Sequence, residues 1–186
     1  KDVAELADTI RKAFMIARSG RPEPVLVDIP RDVQVAKTNY MKAEIEVPDT
    51  TRDPFRPEIY KEQKIDKTLD KAVDFIEDSK RPIILAGGGI TISGASQSLV
   101  SFAKHIGSPV VSTLMGLGGF PADNDLFLGM VGMHGTRYAN YALTGSDLII
   151  AVGTRFSDRV VSDRERFGNG SKIIHIDIDA AEIDKN

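Results

Sequence analysis

The feature that most constrains the fold of this chain is a series of short apolar runs that alternate with segments of helical periodicity. Such runs are typical of strands buried on both faces, and they predict strands at residues 82–86, 109–112, 147–152 and 172–178. Strands that alternate with helices form right-handed βαβ units, which build an open parallel sheet. The sequence therefore predicts an α/β fold with a Rossmann-like parallel sheet and helices on both faces.

Helical spacing of apolar residues predicts the helices between these strands. The first helix is predicted over residues 66–80, from the stripe formed by Leu69, Ala72, Val73 and Ile76. Further helices are predicted over residues 94–105 and 137–143. We expect this domain to span residues 66–186 and its final strands to lie beyond Asn186.

The first 36 residues carry a different pattern. Residues 2–18 place apolar side chains on one helical face, and Ser19-Gly20 stops the helix because glycine reaches the left-handed conformation easily. The proline-bounded apolar run at 24–30 predicts another buried strand. Since one helix and one strand cannot enclose a core, residues 1–36 are expected to be the C-terminal end of a domain whose body lies elsewhere.

Residues 37–65 predict an interdomain linker. They contain Pro48, Pro54 and Pro57 and show no sustained apolar period. Because proline restricts the backbone, the linker is expected to be extended.

Composition excludes several classes of function. The net charge of −3 argues against a nucleic-acid partner, and the absence of cysteine excludes disulfides, thiol nucleophiles and cysteine-ligated zinc. The three histidines, His105, His134 and His175, show no metal-ligand spacing. No apolar run is long enough for a membrane span and no signal peptide is visible, so a cytoplasmic location is predicted.

Glycine-rich segments follow two of the predicted strands, at the edge where open α/β sheets bind ligands. After strand 82–86, the backbone N–H groups of Gly87-Gly88-Gly89 could approach a nucleotide diphosphate, or the turn could simply need glycine. This run does not match the G-x-G-x-x-G fingerprint, because Ile92 stands where the third glycine would be. Residues 113–119 follow the next strand and suit either a passage beside a flat ring or a crossover loop.

Two further turns carry polar side chains. His134 lies between Met133 and Gly135, where it either contacts a ligand or has a structural role. Arg155 and Arg159 follow the strand at 147–152, and a helical turn would bring both guanidinium groups to one side. Arginine pairs bidentately with phosphate or carboxylate, and Asp158 could hold one of the two in place. A surface cluster of ion pairs is the alternative.

Charged residues at two other positions have two interpretations each. Asp177 and Asp179 end the last predicted strand, where a carboxylate can accept hydrogen bonds from a ribose or cap the next turn. Arg21 and Arg31 flank the run at 24–30 and either reach across a domain interface or are solvated loop charges.

Together these motifs resemble the catalytic large subunit of acetolactate synthase (acetohydroxyacid synthase), a family of thiamine diphosphate enzymes. The resemblance covers nearly the whole chain and is most specific at residues 20–34, 132–135, 153–160 and 173–183. It implies the end of an N-terminal pyrimidine-binding domain, a linker, and a central FAD-binding-type domain. The family commonly has lysine where Arg31 stands and glycine where Glu23 stands. The first difference keeps the charge but changes its geometry.

The resemblance also implies a cofactor and a set of residues that line its site. The central domain in this family holds FAD, which does no net redox work in acetolactate formation. By resemblance the FAD site is lined by Arg21, Gly87, Gly88, Gly89, Thr113, Leu114, Met115, Met133, His134, Gly135, Arg155, Arg159, Val160 and Asp177. Arg159 would also help to recognise the second 2-oxoacid, and Arg31, Met133 and Asp158 would lie near the substrate channel, where herbicides of this enzyme class bind.

The parent reaction joins two pyruvates, or pyruvate and 2-oxobutyrate, with loss of carbon dioxide in branched-chain amino-acid biosynthesis (isoleucine, valine and leucine). The resemblance places the thiamine diphosphate and Mg²⁺ sites in other domains, and no Gly-Asp-Gly occurs in this sequence. We therefore expect the chain to be catalytically inactive alone. Expected partners are 2-oxoacids, the remaining domains of the enzyme, a homodimer or tetramer, and a regulatory subunit.

Three alternatives stay open at the level of sequence. One is a nucleotide-binding module such as a sirtuin-like NAD-dependent deacylase, although such enzymes usually carry a four-cysteine zinc site and this chain has no cysteine. Another is the central domain of a different thiamine diphosphate enzyme, such as glyoxylate carboligase or pyruvate oxidase. A third is a structural spacer with a vestigial site.

Overall fold

The computed structural model describes residues 2–39, 62–161, 167, 168 and 170–183, and gives only the helical backbone for residues 62–66. The chain forms two compact units, Lys1–Tyr60 and Lys61–Asn186. The predicted linker at 37–65 falls almost entirely outside the described residues, so it stays a prediction.

The first unit is helical. A 3-10 helix, Val3–Glu5, leads into helix α1, Leu6–Arg18, and a short helix α2 covers Arg31–Val35. Helix α1 ends as predicted, before Gly20, whose φ of 53° is left-handed. Within residues 2–39 the one buried side chain is that of Val33, so the apolar face of α1 remains uncovered there.

The predicted strand at 24–30 is wrong. These residues adopt no regular structure, and the Leu26 side chain is 93% exposed. A strand requires a neighbouring strand to pair its N–H and C=O groups. The described residues of the first unit contain no strand, so the apolar run has no ladder to join.

The second unit is an α/β domain, as predicted. Its helices and strands follow in this order: α3 (Glu62–Asp78), β1 (Pro82–Ala86), α4 (Gly89–Ile92), α5 (Ser96–Ile106), β2 (Val110–Ser112), a 3-10 helix (Leu114–Gly116), β3 (Phe127–Met130), α6 (Arg137–Thr144), β4 (Leu148–Val152) and β5 (Lys172–Ile176). The five strands form one sheet in the order β3-β2-β1-β4-β5, and every neighbouring pair is parallel.

Four of these strands match the predicted ones to within two residues, and β3 was not predicted. It is a short, half-buried edge strand that contains Gly129 at a φ of 94°, so its sequence resembles a turn. The helix predicted from residue 94 begins at Ser96, and the additional helix α4 precedes it. Helix α3 begins four residues before the predicted start.

The predicted stripe of α3 is also partly wrong. Leu69 and Val73 are more than half exposed, whereas Phe75 and Ile76 pack against the core. The buried face of the helix is therefore rotated toward Phe75.

Alternate residues of each central strand point to opposite faces of the sheet. On one face Ile84 and Ile150 pack with Leu99 and Ala103 of α5. On the other face Ile83, Leu85 and Ile149 pack with Ala139 and Leu143 of α6. Fully burying one large aliphatic side chain contributes roughly 1.5–3 kcal/mol, so these two layers stabilise the sheet.

The amino edge of the sheet is fixed by Asp147, which directly precedes β4. Its carboxylate accepts hydrogen bonds from the Ser79 hydroxyl and from the backbone N–H groups of Lys80 (2.9 Å) and Arg81 (3.0 Å). These hydrogen bonds, that from Ser79 foremost, lower the pKa of Asp147 from 3.8 to about 2. Asp147 thus ties the start of β4 to the turn between α3 and β1.

Candidate functional site

The carboxyl ends of the strands bring together the turns that the sequence singled out. Because all five strands are parallel, the segments after β1, β2, β3, β4 and β5 emerge at one edge. The strand order changes direction around β1, which lies between β2 and β4. A crevice outside the carboxyl ends at such a switch point is where open α/β sheets bind ligands.

The glycine triplet after β1 packs directly against the turn after β4. A Cβ on Gly87 would lie 2.1 Å from the Gly153 oxygen, and one on Gly89 would lie 2.7 Å from the Gly153 Cα. The N–H of Gly87 donates to Val152 (2.8 Å) and that of Gly89 to Gly153 (3.0 Å). Gly87 and Gly89 are therefore needed for the contact between the two turns, and this need alone accounts for them.

The turn after β2 combines a buried cap with exposed apolar side chains. The Thr113 side chain is buried and accepts a hydrogen bond from the Gly116 N–H (3.1 Å), while the Thr113 N–H donates to Ala86 (2.9 Å). Leu114 and Met115 are 63% and 76% exposed. Met115 lies beside Gly88, where an added Cβ would come within 3.1 Å of the Met115 Cβ. This turn presents an apolar surface at the carboxyl edge.

Met133 and His134 are exposed in the turn after β3, and their contact with a ligand stays a prediction. The shape of this turn is set by Asn140 of α6, which the sequence analysis did not identify. The Asn140 Oδ1 accepts a hydrogen bond from the Gly132 N–H (2.9 Å), and its Nδ2 donates to the Gly132 oxygen (3.1 Å). The signal that could have found it is a polar residue next to Ala139, on the face of α6 that packs against the sheet.

The turns after β3 and β4 touch each other. The Met133 N–H donates to the Arg159 oxygen (3.1 Å), and a Cβ on Gly132 would lie 2.3 Å from that oxygen. The Met-His and Arg-Phe-Ser-Asp-Arg motifs, separate in sequence, therefore form one continuous surface.

The segment after β4 is not the helical turn that the arginine spacing suggested. Residues 154–157 are not helical, and the turn that follows begins at Ser157, whose oxygen accepts the N–H groups of Val160 (2.8 Å) and Val161 (2.9 Å). The reason is Phe156, whose φ of 45° is left-handed and interrupts a right-handed helix. Arg155 and Arg159 are both exposed, on either side of this bend.

Aromatic packing and one hydrogen bond fix that bend. The Phe156 ring packs edge-on against His175 (centroids 4.9 Å apart) and Phe167 (5.6 Å). The His175 Nε2 donates to the Thr154 oxygen (2.9 Å). A strained residue held by its surroundings in this way is common at ligand sites. His175 was not predicted as a site residue, because its contacts are distant in sequence.

Four other predicted residues lie in the turns at this edge. Val160 is half-buried and packs against the core on the α6 face. Asp177 accepts a hydrogen bond from the Asp179 N–H (2.9 Å), and Asp179 accepts one from the Ala181 N–H (3.0 Å). The aspartates therefore cap the turn after β5, which was one of the two interpretations. Asp158 is exposed within the turn at 158–160.

Arg21 and Arg31 belong to the first unit, so their proposed contact with the sheet edge stays a prediction. Arg21 is half-buried and its Nε lies 3.4 Å from the Glu23 carboxylate. Arg31 is exposed at the start of α2.

Two other kinds of site are absent from the described residues. No group of three histidine or carboxylate side chains in them could hold a metal ion. None of their helices has the length and apolar character that a membrane span requires.

Comparison with known proteins adds the family. A family model described as the central domain of thiamine pyrophosphate enzymes matches residues 69–186. The whole chain is 48% identical, over 192 residues, to a probable acetolactate synthase large subunit of Methanocaldococcus jannaschii, of which it covers 31%. It is 47% identical over 188 residues to the chloroplastic acetolactate synthase of Arabidopsis thaliana, of which it covers 27%.

A third relative, acetolactate synthase 2, chloroplastic, of Nicotiana tabacum, is 46% identical over 189 residues, and the chain again covers 27% of it. The chain thus spans about 30% of the length of these relatives. The resemblance found from the motifs is confirmed.

Proposed function

We propose that this chain is the FAD-binding part of an acetolactate synthase. The chain belongs to the thiamine pyrophosphate enzymes, whose central domain it carries over residues 69–186. The observation that supports the proposal most is identity of 46–48% along the whole chain to three proteins named acetolactate synthase. The whole enzyme would join two 2-oxoacids with loss of carbon dioxide, in the biosynthesis of isoleucine, valine and leucine.

The residues at the carboxyl edge fit a dinucleotide such as FAD. Its diphosphate needs positive donors, and Arg155 and Arg159 are exposed there. Its flat rings need apolar surface, and Leu114, Met115 and Met133 present exposed apolar side chains. When bound, FAD would supply a ring system beside the substrate and no net redox change in this reaction.

We assign the remaining residues by their place at the same edge. Gly88 would leave room for the cofactor beside Met115, while Gly87, Gly89, Thr113 and Gly135 would shape the turns around it. His134 and Val160 would border the site, and Asp177, already bonded to the Asp179 N–H, would face the ribose. Arg21 would reach the site from the first unit.

Substrate recognition is assigned to the surface where the two polar turns meet. The Arg159 guanidinium would pair with the carboxylate of the second 2-oxoacid as well as with FAD. Met133 and Asp158 would line the substrate channel beside it, and Arg31 would add a charge from the first unit. The contact between Met133 and the Arg159 backbone supports this grouping of residues.

The domain division, the partners and the location are part of the proposal. Residues 1–36 would end a pyrimidine-binding domain, and residues 37–65 would link it to the central domain. Thiamine diphosphate and Mg²⁺ would bind to other parts of the enzyme, which would form dimers or tetramers with a regulatory subunit. A cytoplasmic location is proposed for this chain, although plant relatives are named chloroplastic.

The alternatives carry less support. A sirtuin-like module shares the general build but not the family, which the match to residues 69–186 establishes. Glyoxylate carboligase and pyruvate oxidase would share the family, but the relatives reported above are acetolactate synthases. A vestigial spacer is the outcome that the binding experiment addresses.

FAD binding is the direct test. The purified chain is titrated with FAD, FMN and riboflavin, and binding is followed by flavin fluorescence and by thermal stability. We expect FAD at a hundredfold excess over its Kd to stabilise the fold by about 2.7 kcal/mol. A folded chain that none of the flavins stabilises would contradict the FAD assignment and favour a spacer.

The arginine assignment is tested in the same titration. Because a charge-assisted hydrogen bond contributes about 1.5–3 kcal/mol, Arg155→Ala should weaken FAD binding roughly 10- to 150-fold and leave riboflavin binding unchanged. The matched control is Lys104→Ala, which removes an exposed charge near the C-terminal end of α5, away from the carboxyl edge. Equal losses in both variants would mean that general charge, and not Arg155, attracts the diphosphate.

Inactivity of the isolated chain is tested by an enzyme assay. With pyruvate, FAD, thiamine diphosphate and Mg²⁺ supplied, the purified chain should form no acetolactate. Turnover would contradict the proposal that the thiamine diphosphate site lies elsewhere in the enzyme.

A further inference from the structure

The side chain of Asn140 pairs with a backbone position as a neighbouring strand would. It accepts a hydrogen bond from the Gly132 N–H through Oδ1 (2.9 Å) and donates one to the Gly132 oxygen through Nδ2 (3.1 Å). An amide side chain offers one acceptor and two donors, so it can satisfy both polar groups of one residue. Asn140 is half-buried between α6 and the turn after β3.

Gly132 needs this partner because it has just left the sheet. The pairing between β2 and β3 continues as far as Val131, whose N–H donates to the Ser112 oxygen (2.9 Å). At Gly132 the chain turns away with a φ of 99°. Backbone polar groups that are half-buried without a partner cost free energy. The Gly132 N–H has Asn140 as its partner, and the Gly132 oxygen accepts from both Asn140 and the Gly135 N–H (2.9 Å).

The position of Gly132 in turn determines that of Arg159. The Met133 N–H donates a hydrogen bond to the Arg159 oxygen (3.1 Å). The same oxygen packs against the Gly132 Cα, and a Cβ added to Gly132 would lie 2.3 Å from it. A displacement of Gly132 by a fraction of an ångström therefore displaces the Arg159 backbone as well.

Helix α6 is a firm support for this arrangement. Ala139 and Leu143, one residue before and three residues after Asn140, are 0% and 5% exposed and pack against the sheet. Thr136 caps the helix by accepting a hydrogen bond from the Ala139 N–H (3.3 Å). Asn140 thus connects the core of the domain to the turns at the carboxyl edge.

From this chain of contacts we infer that Asn140 is a positioning residue, which holds Arg159 in place for its anionic ligands through Gly132 and Met133. The inference rests on the proposed FAD function. Asn140 itself is not assigned a contact with FAD or with the 2-oxoacid.

The experiment compares three variants of the whole chain. Asn140→Ala removes both hydrogen bonds, and Asn140→Asp keeps the acceptor for the Gly132 N–H but loses the donor. Asn124→Ala is the matched control, because the Asn124 Oδ1 also accepts a backbone N–H, that of Leu126 (3.1 Å), but at the amino end of β3. The readouts are hydrogen exchange of the Gly132 and Met133 amides and the Kd for FAD.

We expect Asn140→Ala to speed exchange of the Gly132 and Met133 amides at least tenfold and to weaken FAD binding about tenfold, the change that the loss of one good hydrogen bond gives. Asn140→Asp should fall between this variant and the original chain. Asn124→Ala should lower thermal stability and leave both readouts unchanged, because its hydrogen bond does not reach the carboxyl edge.

Two outcomes would overturn the inference. If Asn140→Ala leaves Met133 exchange unchanged, the chain of contacts does not hold the turn. If Asn140→Ala and Asn124→Ala weaken FAD binding equally, Asn140 acts only through general stability. A chain that does not bind FAD before any substitution contradicts the proposed function instead, and exchange at Met133 then decides alone whether Asn140 holds the turn.

Discussion

Replacing Gly87 by alanine should force apart the two central turns of the carboxyl edge. The added Cβ would lie 2.1 Å from the Gly153 oxygen and 2.6 Å from the Gly153 carbon, and both are backbone atoms that cannot rotate away. The turn after β4 must therefore move by more than 1 Å relative to the turn after β1. That movement strains two hydrogen bonds, from Gly87 to Val152 and from Gly89 to Gly153.

The expected cost follows from these contacts. Overpacking in a close-packed site costs about 1–3 kcal/mol, and each hydrogen bond lost costs about 0.5–1.5 kcal/mol. We therefore expect Gly87→Ala to lower the free energy of unfolding by about 4 kcal/mol. Because domains are commonly stable by only about 5–15 kcal/mol, this variant should be marginally folded.

Chemical denaturation of the purified chain measures this cost, with Gly94→Ala as the matched control. Gly94 has a left-handed φ of 67° but no atom within 4 Å of the added Cβ, so its replacement should cost only the backbone strain of about 1–2 kcal/mol. A Gly87→Ala variant as stable as Gly94→Ala would refute the tight contact between the two turns.

Two further predictions concern the ends of β4. Lowering the pH from about 4 to about 2 should destabilise the domain, because the pKa of Asp147 is about 2 in the folded chain and 3.8 ordinarily. A lowered pKa contributes stability that is lost as the pH falls through this window. In acid denaturation, the stability of Asp147→Asn should depend less steeply on pH than that of the original chain, and equal dependence would contradict the role of Asp147. In urea denaturation, Phe156→Gly should have a free energy of unfolding about 1 kcal/mol higher than Phe156→Ala. Both variants lose the ring contacts, but only alanine retains the strain of a φ of 45°. A more stable Phe156→Ala would show that the left-handed bend is not maintained.

The four strands that the sequence predicted share one physical property. Strands β1 and β4 are buried on both faces and entirely apolar, and β2 is buried and apolar except for Ser112. Strand β5 is more exposed, but three of its five residues are isoleucine. The same apolar pattern gave a wrong strand prediction at residues 24–30, because apolar residues do not indicate whether a neighbouring strand is present to pair with them. Strand β3 was missed for the opposite reason, since an edge strand with Gly129 lacks a continuous apolar run.

The candidate site could also be predicted from the sequence only in part. The turns were predictable because glycine and arginine after a buried strand are a local signal. The role of Gly87 and Gly89, which is to let two turns meet, depends on Gly153, more than sixty residues away in sequence. Asn140 acts through Gly132, and His175 acts through Thr154. A polar residue on the packed face of α6 points to Asn140, but neither contact leaves a periodicity from which its partner could be predicted.

The attachment of the segment after β4 has a consequence for the entropy of ligand binding. Between Gly153 and Arg159 the backbone is held by the glycine triplet, by His175, by the Phe156 ring and by Met133. Ordering a free loop costs roughly 1–2 kcal/mol for each residue. Because this segment is already ordered, an anion that binds here would have to immobilise little more than the arginine side chains, and more of its contact energy would be expressed as affinity.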